Sequence, residues 1–330
     1  MAGASAGGAE LFFERLTAAL HRAGETVLPV IRSNPGRAAR IAAQGLLPVQ
    51  LPFAGAFDLL TRWGLGRALR QFRPSVTVAW MNRAARATPR GDWVSVGRLG
   101  GYYDLKYYRA CDHLIGNTKG IAAWIKDQGW PEARVHHLPN FAPDLAGAAP
   151  ATLPPGRTVL ALGRLHRNKG FDVLVRALPH LPEVNAVIAG DGPERDALLG
   201  LARECGVADR LLLLGWREDG DALLSACDLL VCPSRSEPLG NVILEAFSAS
   251  RPVVAAAVAG PLELIDPDRT GLLVPPEDPE RLAAAIRTIL NNQPLASRLA
   301  EAGRTEFEKH YAEAAVVRRW REALSAMASA

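Results

Sequence analysis

The chain has 330 residues, of which 48% are hydrophobic and 22% charged, and its formal net charge is +4. This composition supports a sizeable core and excludes a disordered protein. The charge is uneven, because residues 1–150 contain 18 Lys and Arg against 10 Asp and Glu, whereas residues 151–330 contain 20 against 24. The basic first half indicates either an anionic partner, such as a membrane surface or a phosphorylated acceptor, or a solvated arginine-rich surface.

Cysteine usage and hydropathy bear on the compartment. The four cysteines form no Cys-x-x-Cys pair and lie mostly within apolar runs, where cysteine behaves as a small hydrophobe. No apolar run approaches the ~18 residues that cross a bilayer, and the N-terminus lacks the pattern of a signal peptide. We therefore expect a cytoplasmic protein, either free or peripheral at the inner face of the membrane.

The first half of the chain alternates weakly between helical and strand patterns. A helix is predicted over residues 10–23, and candidate strands occupy residues 26–31, 48–53, 75–80, 93–98, 112–118 and 134–140. A doubly wound domain normally opens with a buried strand that leads into a glycine turn, but here Gly7 and Gly8 follow only six residues. Either the native chain starts upstream of Met1, or the sheet lacks its first strand.

The second half shows a clearer alternation from residue 158 to residue 290, with short β-branched or leucine-rich runs between helical patterns. Such runs are typical of a parallel sheet covered on both faces by helices. We predict an α/β protein with two doubly wound Rossmann-like domains that face each other across a cleft. The expected segments are a first domain at 1–146, a linker at 147–157, a second domain at 158–310, and a helix at 311–330 that is a candidate to cross back to the first domain.

Two glycine turns are predicted at the carboxyl edge of the second sheet. Gly163 and Arg164 end one strand, with Lys169 just before the next helix, and Gly190 and Gly192 end the following strand. A helix N-terminus presents free N–H groups and a positive dipole end, and two added cations would suit a diphosphate. Each turn alone is an ordinary strand-to-helix connection, but both fall where open α/β sheets bind ligands.

Residues 236–246 place two carboxylates eight positions apart after a predicted strand. Glu237 lies in the loop before a helix, and Glu245 lies about two turns later on roughly the same side. One carboxylate can reach a sugar and the other a ribose, and backbone N–H groups beside Gly240 add an anion site. Glu237 could instead be a helix-terminal acid and Glu245 a solvated residue, although an unpaired carboxylate in the apolar run around Glu245 would be costly.

These segments carry a resemblance to a known family. GRLHRNKG, AGDGPE and SEPLGNVILEA, followed by RPVVA and GLLV, resemble the C-terminal donor domain of the family 4 glycosyltransferases over roughly residues 158–325. The first half is similar only through GGAE at 7–10, GNTKGI at 116–121 and RVHHLPN at 134–140. The resemblance implies a GT-B fold, a nucleotide-diphosphate sugar donor, retention of configuration, and no metal or other cofactor.

The resemblance also implies a setting and residue roles. The expected enzyme is a hexosyltransferase that acts on a glycan or lipid-linked acceptor in envelope polysaccharide or lipopolysaccharide synthesis, with no nucleic-acid partner. Arg164 and Lys169 would clamp the diphosphate, and Glu237 would contact the transferred sugar. The donor-binding residues would be Gly7, Gly8, Gly163, Gly190, Gly192, Leu239, Gly240, Asn241 and Glu245, of which Glu245 would bind the ribose.

The first half departs from the family pattern at one position. Many members place a histidine near the end of the strand at 75–80, where this chain continues with Asn82 and Arg83. These two residues, and Tyr102 in a glycine-flanked aromatic segment, are candidates for sugar or acceptor contacts, or are surface and core residues. The tandem His136 and His137 lie on a predicted strand whose alternation separates the two rings, so we expect no metal ligand there.

Two other classes of protein remain as alternatives. A sugar-nucleotide epimerase could use the same fold but is not expected to show the pair of acids, and a nicotinamide dehydrogenase needs a glycine fingerprint that the N-terminus lacks. A non-catalytic nucleotide-sugar-binding scaffold would fit the missing strand and the missing histidine. The presence of both acids and both cations argues against the scaffold.

Overall fold

The computed structural model describes residues 1–3, 7–55 and 58–329, and the chain divides into two compact units. The first unit comprises Met1–Phe141 and the C-terminal segment from Glu313, and the second comprises Ala142–Ala312. No helix in the described part of the chain is both long and apolar enough to cross a membrane.

The first unit alternates short parallel strands with helices. Its elements in chain order are α1 (Gly8–Arg22), β1 (Val30–Arg32), α2 (Pro35–Ala42), β2 (Val49–Leu51), α3 (Leu59–Phe72), β3 (Val76–Trp80), α4 (Met81–Ala87), β4 (Val94–Leu99), β5 (His113–Gly116), α5 (Lys119–Asp127) and β6 (Val135–His137). Strands β3, β4, β5 and β6 form a parallel sheet in that order, and β1 and β2 form a separate parallel pair. The helix and the six strands predicted for the first half each overlap an observed element, although β1 shares only residues 30 and 31 with the segment predicted at 26–31.

The second unit is a doubly wound α/β domain. Its elements are β7 (Arg157–Leu162), α6 (Phe171–Ala177), β8 (Val184–Ala189), α7 (Arg195–Glu204), β9 (Leu211–Gly215), α8 (Gly220–Ala226), β10 (Leu229–Cys232), α9 (Asn241–Ser248), β11 (Val253–Ala256), α10 (Ala259–Leu264), β12 (Leu272–Val274), α11 (Pro279–Leu290) and α12 (Gln293–His310). The six strands are all parallel, in the order β12-β11-β10-β7-β8-β9.

Both faces of this second sheet are buried, which explains its nearly continuous apolar runs. On β7, Val159 and Ala161 belong to one hydrophobic cluster, and Leu160 between them belongs to another. Successive side chains of a strand point to opposite faces, so a strand covered by helices on both sides needs apolar residues at every position. The fold class predicted from the sequence, two α/β domains with parallel sheets, is confirmed.

The last helix, α13 (Glu313–Ala328), belongs to the first unit. Its Trp320 is fully buried, and the ring stacks on Trp80 of β3 with centroids 6.4 Å apart and planes 5° from parallel. Val316 of α13 shares a hydrophobic cluster with Phe13 and Leu16 of α1. The C-terminal helix is therefore part of the core of the first unit.

The backbone of Met1 is hydrogen-bonded to the first and last residues of β1. The α-amino group of Met1 donates a hydrogen bond to the Val30 carbonyl at 2.7 Å, and the Met1 carbonyl accepts one from the Arg32 N–H at 2.9 Å. Met1 thus lies alongside β1 as a strand residue would. A cavity of about 1000 Å³ is lined by Met1, by residues of β1 and β3, and by helices α1, α3 and α13.

Candidate functional site

The predicted donor-binding residues of the second unit follow three strands that are neighbours in the sheet. We call residues 163–170, 190–194 and 233–241 the carboxyl edge, because they follow the C-terminal ends of β7, β8 and β10. The sheet order β10-β7-β8 makes these three connections adjacent, although the connections after β7 and β10 begin 70 residues apart in the chain, at residues 163 and 233. The fold therefore brings together the residues that the sequence motifs singled out here.

The glycines of the first two connections are required by packing between the turns. A Cβ on Gly190, whose φ is +153°, would lie 1.9 Å from the carbonyl oxygen of Gly163. A Cβ on Gly192 would lie 2.3 Å from the carbonyl oxygen of Leu165, and the Leu165 N–H donates to the Asp191 carbonyl at 2.9 Å. The two turns thus pack backbone against backbone, and only glycine fits. Sequence reasoning assigned these glycines to approach by a ligand and did not foresee this contact.

Lys169 and Glu237 form an ion pair across the carboxyl edge. The Lys169 ammonium donates to Glu237 Oε2, and the side chains are 26% and 11% exposed. The Ser234 hydroxyl donates to the same oxygen at 3.5 Å, and no described residue donates a hydrogen bond to Glu237 Oε1. A cation and a carboxylate from different connections therefore meet, with one carboxylate oxygen anchored.

Close backbone contacts hold the two partners in this position. Gly170 has a left-handed backbone, with φ +64°, and a Cβ there would lie 2.1 Å from the Pro233 carbonyl oxygen. The Arg235 N–H donates to the Asn168 carbonyl at 2.8 Å. The turn that carries Lys169 is therefore attached directly to the loop that carries Glu237.

Arg235 braces this loop and was not identified from the sequence. Its guanidinium donates two hydrogen bonds to the Asp172 carboxylate, both at 2.7 Å, and one to Glu277 at 2.7 Å. The bidentate contact with Arg235 lowers the pKa of Asp172, and the same hydrogen bonds raise the pKa of Arg235. Because Arg235 joins the loop to α6 through Asp172, we assign it a structural role at the site.

Arg164 differs from Lys169 in its surroundings. The Arg164 side chain is exposed, and it makes no hydrogen bond or ion pair with any residue that the structure describes. It lies one residue after Gly163, at the start of the same connection that ends with Lys169 and Gly170. Of the two cations that the sequence motifs singled out, Arg164 is therefore presented to solvent and Lys169 is paired with Glu237.

The loop before α9 combines a buried anchor with a glycine terminus. Leu239 is buried. Gly240 is the N-cap residue of α9, with φ +93°, and glycine has no side chain that could cap the first N–H groups of the helix. The Gly260 N–H donates to the Glu237 carbonyl at 2.8 Å and holds the loop from the other side. Glu245 is half-buried in α9.

Gly7 and Gly8 lie at the start of α1 in the first unit. Gly7 is the N-cap residue and Gly8 the first helical residue. A Cβ on Gly7 would lie 2.6 Å from a carboxylate oxygen of the buried Glu10, so Gly7 leaves space for that side chain. The backbone at the start of α1 therefore packs closely against the Glu10 side chain.

Asn82 and Arg83 are the second and third residues of α4, which follows β3 directly. The preceding Met81 has a left-handed backbone, with φ +68°, which is a strained conformation for a bulky side chain. Asn82 Oδ1 is inaccessible to solvent and has no hydrogen-bond partner among the described residues. Asn82 and Arg83 line a cavity of about 230 Å³ together with the guanidinium-bearing Arg62 and Arg86.

The remaining candidates lie elsewhere in the first unit. Tyr102 is exposed and makes an edge contact with Trp124, with ring centroids 5.5 Å apart. His136 contacts His113 of the neighbouring strand, with His113 Nδ1 and His136 Nε2 3.0 Å apart. Within residues 1–3, 7–55 and 58–329, no cluster of three or more His, Cys, Asp or Glu is placed to hold a metal ion.

A buried arginine on β4 was also missed by the sequence patterns. The Arg98 guanidinium lies over Trp80 at 4.6 Å and over Phe12 at 5.5 Å, and it donates a hydrogen bond to Asn140 Oδ1 at 2.6 Å. Burial lowers the pKa of Arg98 to about 10, so it remains charged at neutral pH. Two ring faces and one amide therefore stabilise a buried cation in the core of the first unit.

Two α/β units with parallel sheets are the architecture of the GT-B fold, which many glycosyltransferases share. In agreement, a family model for the group 1 glycosyl transferases matches residues 151–306. The chain is 34% identical over 323 residues to the lipopolysaccharide core biosynthesis glycosyltransferase LpsD of Rhizobium meliloti, covering 94% of this chain and 92% of the relative. It is 36% identical over 311 residues to LpsE of the same organism, covering 90% and 89%.

The chain belongs to the group 1 glycosyltransferases. Its structure is similar to the crystal structure of Anabaena Alr3699/HepE in complex with UDP, with a TM-score of 0.85, 22% identity and 98% coverage of each chain. At that identity the likeness concerns the fold. The enzyme class and the GT-B architecture expected from the sequence are thereby confirmed.

Proposed function

We propose that this glycosyltransferase belongs to family 4 and transfers a hexose, with retention of configuration, from a nucleotide-diphosphate sugar to a glycan or lipid-linked acceptor. The acceptor class would be a lipopolysaccharide or envelope polysaccharide precursor. The proposal rests chiefly on one arrangement in the second unit, in which the paired Lys169 and Glu237 lie at the same sheet edge as the exposed Arg164.

The chemistry follows from where the charges lie. Breakage of the bond between the sugar and the diphosphate places negative charge on the leaving phosphate, and Arg164 and Lys169 would stabilise that charge in the transition state. This electrostatic role is one that a bound metal can fill elsewhere, so we propose a metal-independent reaction without a cofactor. The Ser234 hydroxyl would still hold Glu237 Oε2 when Lys169 turns towards the phosphate.

Glu237 would position the transferred sugar. Its Oε2 is anchored, whereas its Oε1 accepts no hydrogen bond from a described residue, so Oε1 can accept one from a sugar hydroxyl. The N-terminus of α9, after Leu239 and Gly240, would contribute N–H groups from Asn241 onward to the donor phosphates. Glu245 would bind the ribose hydroxyls, and Gly7 and Gly8 would approach the phosphates.

The acceptor would meet the first unit. Asn82, Arg83 and Tyr102 are the proposed contacts, and the first two line the cavity of about 230 Å³ beside Arg62 and Arg86. The names of LpsD and LpsE, lipopolysaccharide core biosynthesis glycosyltransferases, support an acceptor of that kind. We therefore place the enzyme in the cytoplasm, peripheral at the inner face of the membrane.

Thermal stabilisation of the full chain by UDP-, GDP- and ADP-sugars, with NAD as the control, tests the donor assignment. A nucleotide sugar present at 100 times its Kd should stabilise the folded enzyme by about 2.7 kcal/mol. We expect a rise in Tm with one nucleotide class and none with NAD. The same shift in the presence of EDTA is expected for metal-independent binding, and no shift with any nucleotide sugar would reject the donor assignment.

Consumption of the stabilising nucleotide sugar separates the proposed activity from the alternatives. A transferase consumes its donor at an appreciable rate only when an acceptor is present, here a lipopolysaccharide core extract. An epimerase would convert the donor to an isomer without any acceptor, and a scaffold would bind the donor and leave it intact. NMR of the anomeric proton in the product would test retention of configuration.

A further inference from the structure

Helix α3 of the first unit exposes a cluster of large apolar side chains. Leu59, Leu60 and Trp63 are 73%, 72% and 64% exposed, whereas Leu65 and Leu69 of the same helix are buried. Single exposed apolar residues are common, but three within five positions form a patch that marks an interaction site. The helix is therefore anchored in the unit by one face and presents apolar side chains on another.

The same exposed face is basic beyond its first two turns. Leu59, Trp63, Arg67 and Arg70 follow one another at intervals of four, four and three residues, which places them on one side of a helix. Both arginines are exposed, and the Arg67 guanidinium lies 5.7 Å from the Trp63 ring centroid. On this side of α3, exposed apolar side chains in the first turns are thus followed directly by guanidinium groups.

The sequence within and after α3 is strongly basic. Residues 58–90 contain seven arginines and one acid, and all seven arginines are exposed. The acid, Asp58, accepts hydrogen bonds from the Ala54 N–H and from the N–H and hydroxyl of Thr61, and these bonds lower its pKa. The Asp58 charge is therefore committed to the terminus of α3. The arginines are Arg62, Arg67, Arg70, Arg73, Arg83, Arg86 and Arg90.

We propose that the exposed face of α3 docks the enzyme on an anionic lipid bilayer. Leu59, Leu60 and Trp63 would enter the boundary between headgroups and acyl chains, and Arg67 and Arg70 would contact lipid phosphates. Amphipathic helices with aromatic and leucine side chains beside basic residues bind membrane surfaces in this way. The proposal rests on the proposed function insofar as that function supplies a membrane-linked acceptor.

Charge complementarity favours a bilayer over a second copy of the chain. A symmetric dimer built on this face would bring Arg67 and Arg70 of one copy close to the same arginines of the other copy, which is costly. A bilayer of anionic lipids instead offers apolar depth and phosphate groups together. The exposed face of α3 is therefore more complementary to an anionic lipid surface than to the same face of a second copy.

Flotation of the full chain with vesicles tests the proposal. We expect binding to vesicles of phosphatidylglycerol and phosphatidylcholine, weaker binding at high salt, and little binding to phosphatidylcholine alone. Trp63→Ser should lower the partition coefficient about tenfold, since part of an indole no longer leaves water. The matched control is Trp216→Ser, which removes another exposed tryptophan, in the second unit, and should leave binding unchanged.

A second pair of variants tests the charge. The double variant Arg67→Gln/Arg70→Gln should bind about 25-fold more weakly, from roughly a fivefold contribution of each arginine. The control Arg203→Gln/Arg281→Gln removes two exposed arginines of the second unit and should have no effect. Self-association that is abolished by Trp63→Ser, seen by analytical ultracentrifugation without any vesicle binding, would replace the bilayer with a second copy.

The flotation result and the nucleotide-sugar thermal shift test separate proposals, so one can fail without the other. A chain that keeps its thermal shift with a nucleotide sugar but fails to float with anionic vesicles overturns the docking proposal alone. A chain that floats through α3 but shows no nucleotide-sugar shift overturns the proposed function alone. Equal loss of flotation in Trp63→Ser and Trp216→Ser would also contradict a role for α3.

Discussion

Breaking the Lys169–Glu237 pair is expected to destabilise the second unit more than breaking an exposed pair of the same chain. The two side chains are 26% and 11% exposed, so the pair lies between the surface and the interior. Exposed pairs contribute roughly 0.2–1 kcal/mol, and removal of one partner of a buried pair costs about 3–5 kcal/mol. For Lys169→Met or Glu237→Gln we therefore expect a loss of about 2 kcal/mol in the free energy of unfolding.

A double-mutant cycle measured by urea unfolding isolates the interaction. The variant that carries both substitutions should lose much less than the sum of the single losses, because no unpaired charge remains, and the coupling should be about 1–2 kcal/mol. The control cycle uses Arg217 and Asp219, which form an exposed ion pair in the same unit and should show no measurable coupling. A coupling for Lys169 and Glu237 no larger than that control would refute the pairing described here.

Three further predictions concern packing and protonation. Gly190→Ala should lower the free energy of unfolding by at least about 3 kcal/mol, because its Cβ would meet a backbone oxygen. Gly200→Ala in α7, where a Cβ has open space, should instead raise it by about 0.5–1 kcal/mol, and similar urea midpoints for the two variants would contradict this. Burial lowers the pKa of both His113 and His136, so the unfolded chain binds protons at higher pH than the folded chain does. Tm should therefore decrease between about pH 7 and pH 5, and the decrease should be smaller in His136→Gln; an equal decrease in the variant would exclude the histidine pair as the cause. Arg98→Lys should lose about 2 kcal/mol in urea unfolding, because an ammonium cannot stack on the two rings below it, and an unchanged midpoint would show that the stacking is unimportant.

The elements of both sheets could be predicted because their signal is local. The leucine- and valine-rich run of β7 alternates between two hydrophobic clusters, and this burial on both faces is what a continuous apolar pattern encodes. The strands of the first unit are less completely buried, and the segment predicted at 26–31 overlaps β1 only at residues 30 and 31. Helix α3 was not found, because its sequence mixes exposed leucines, glycines and arginines, and its exposed face carries the apolar residues that would normally mark a buried one.

The identity of the site residues was predictable to a greater extent than their contacts. The motifs located Arg164, Lys169 and Glu237 in sequence, but the pairing of Lys169 with Glu237 joins positions 68 residues apart and depends on strand order. The brace formed by Arg235 has the same origin. The packing of Gly190 against Gly163 is likewise a contact between two turns, for which a sequence pattern has no separate signal.

The central proposal is that the second unit binds a nucleotide-diphosphate sugar through the carboxyl edge and α9, and calorimetric titration of Glu245→Gln tests it most directly. The titrant is the nucleotide sugar that gives the largest thermal shift, and Glu204→Gln, an exposed acid on α7, serves as the matched control. We expect Glu245→Gln to raise the Kd at least about tenfold, which corresponds to about 1.4 kcal/mol, and Glu204→Gln to leave it unchanged. Equal affinities for wild type and both variants would contradict the proposed donor site.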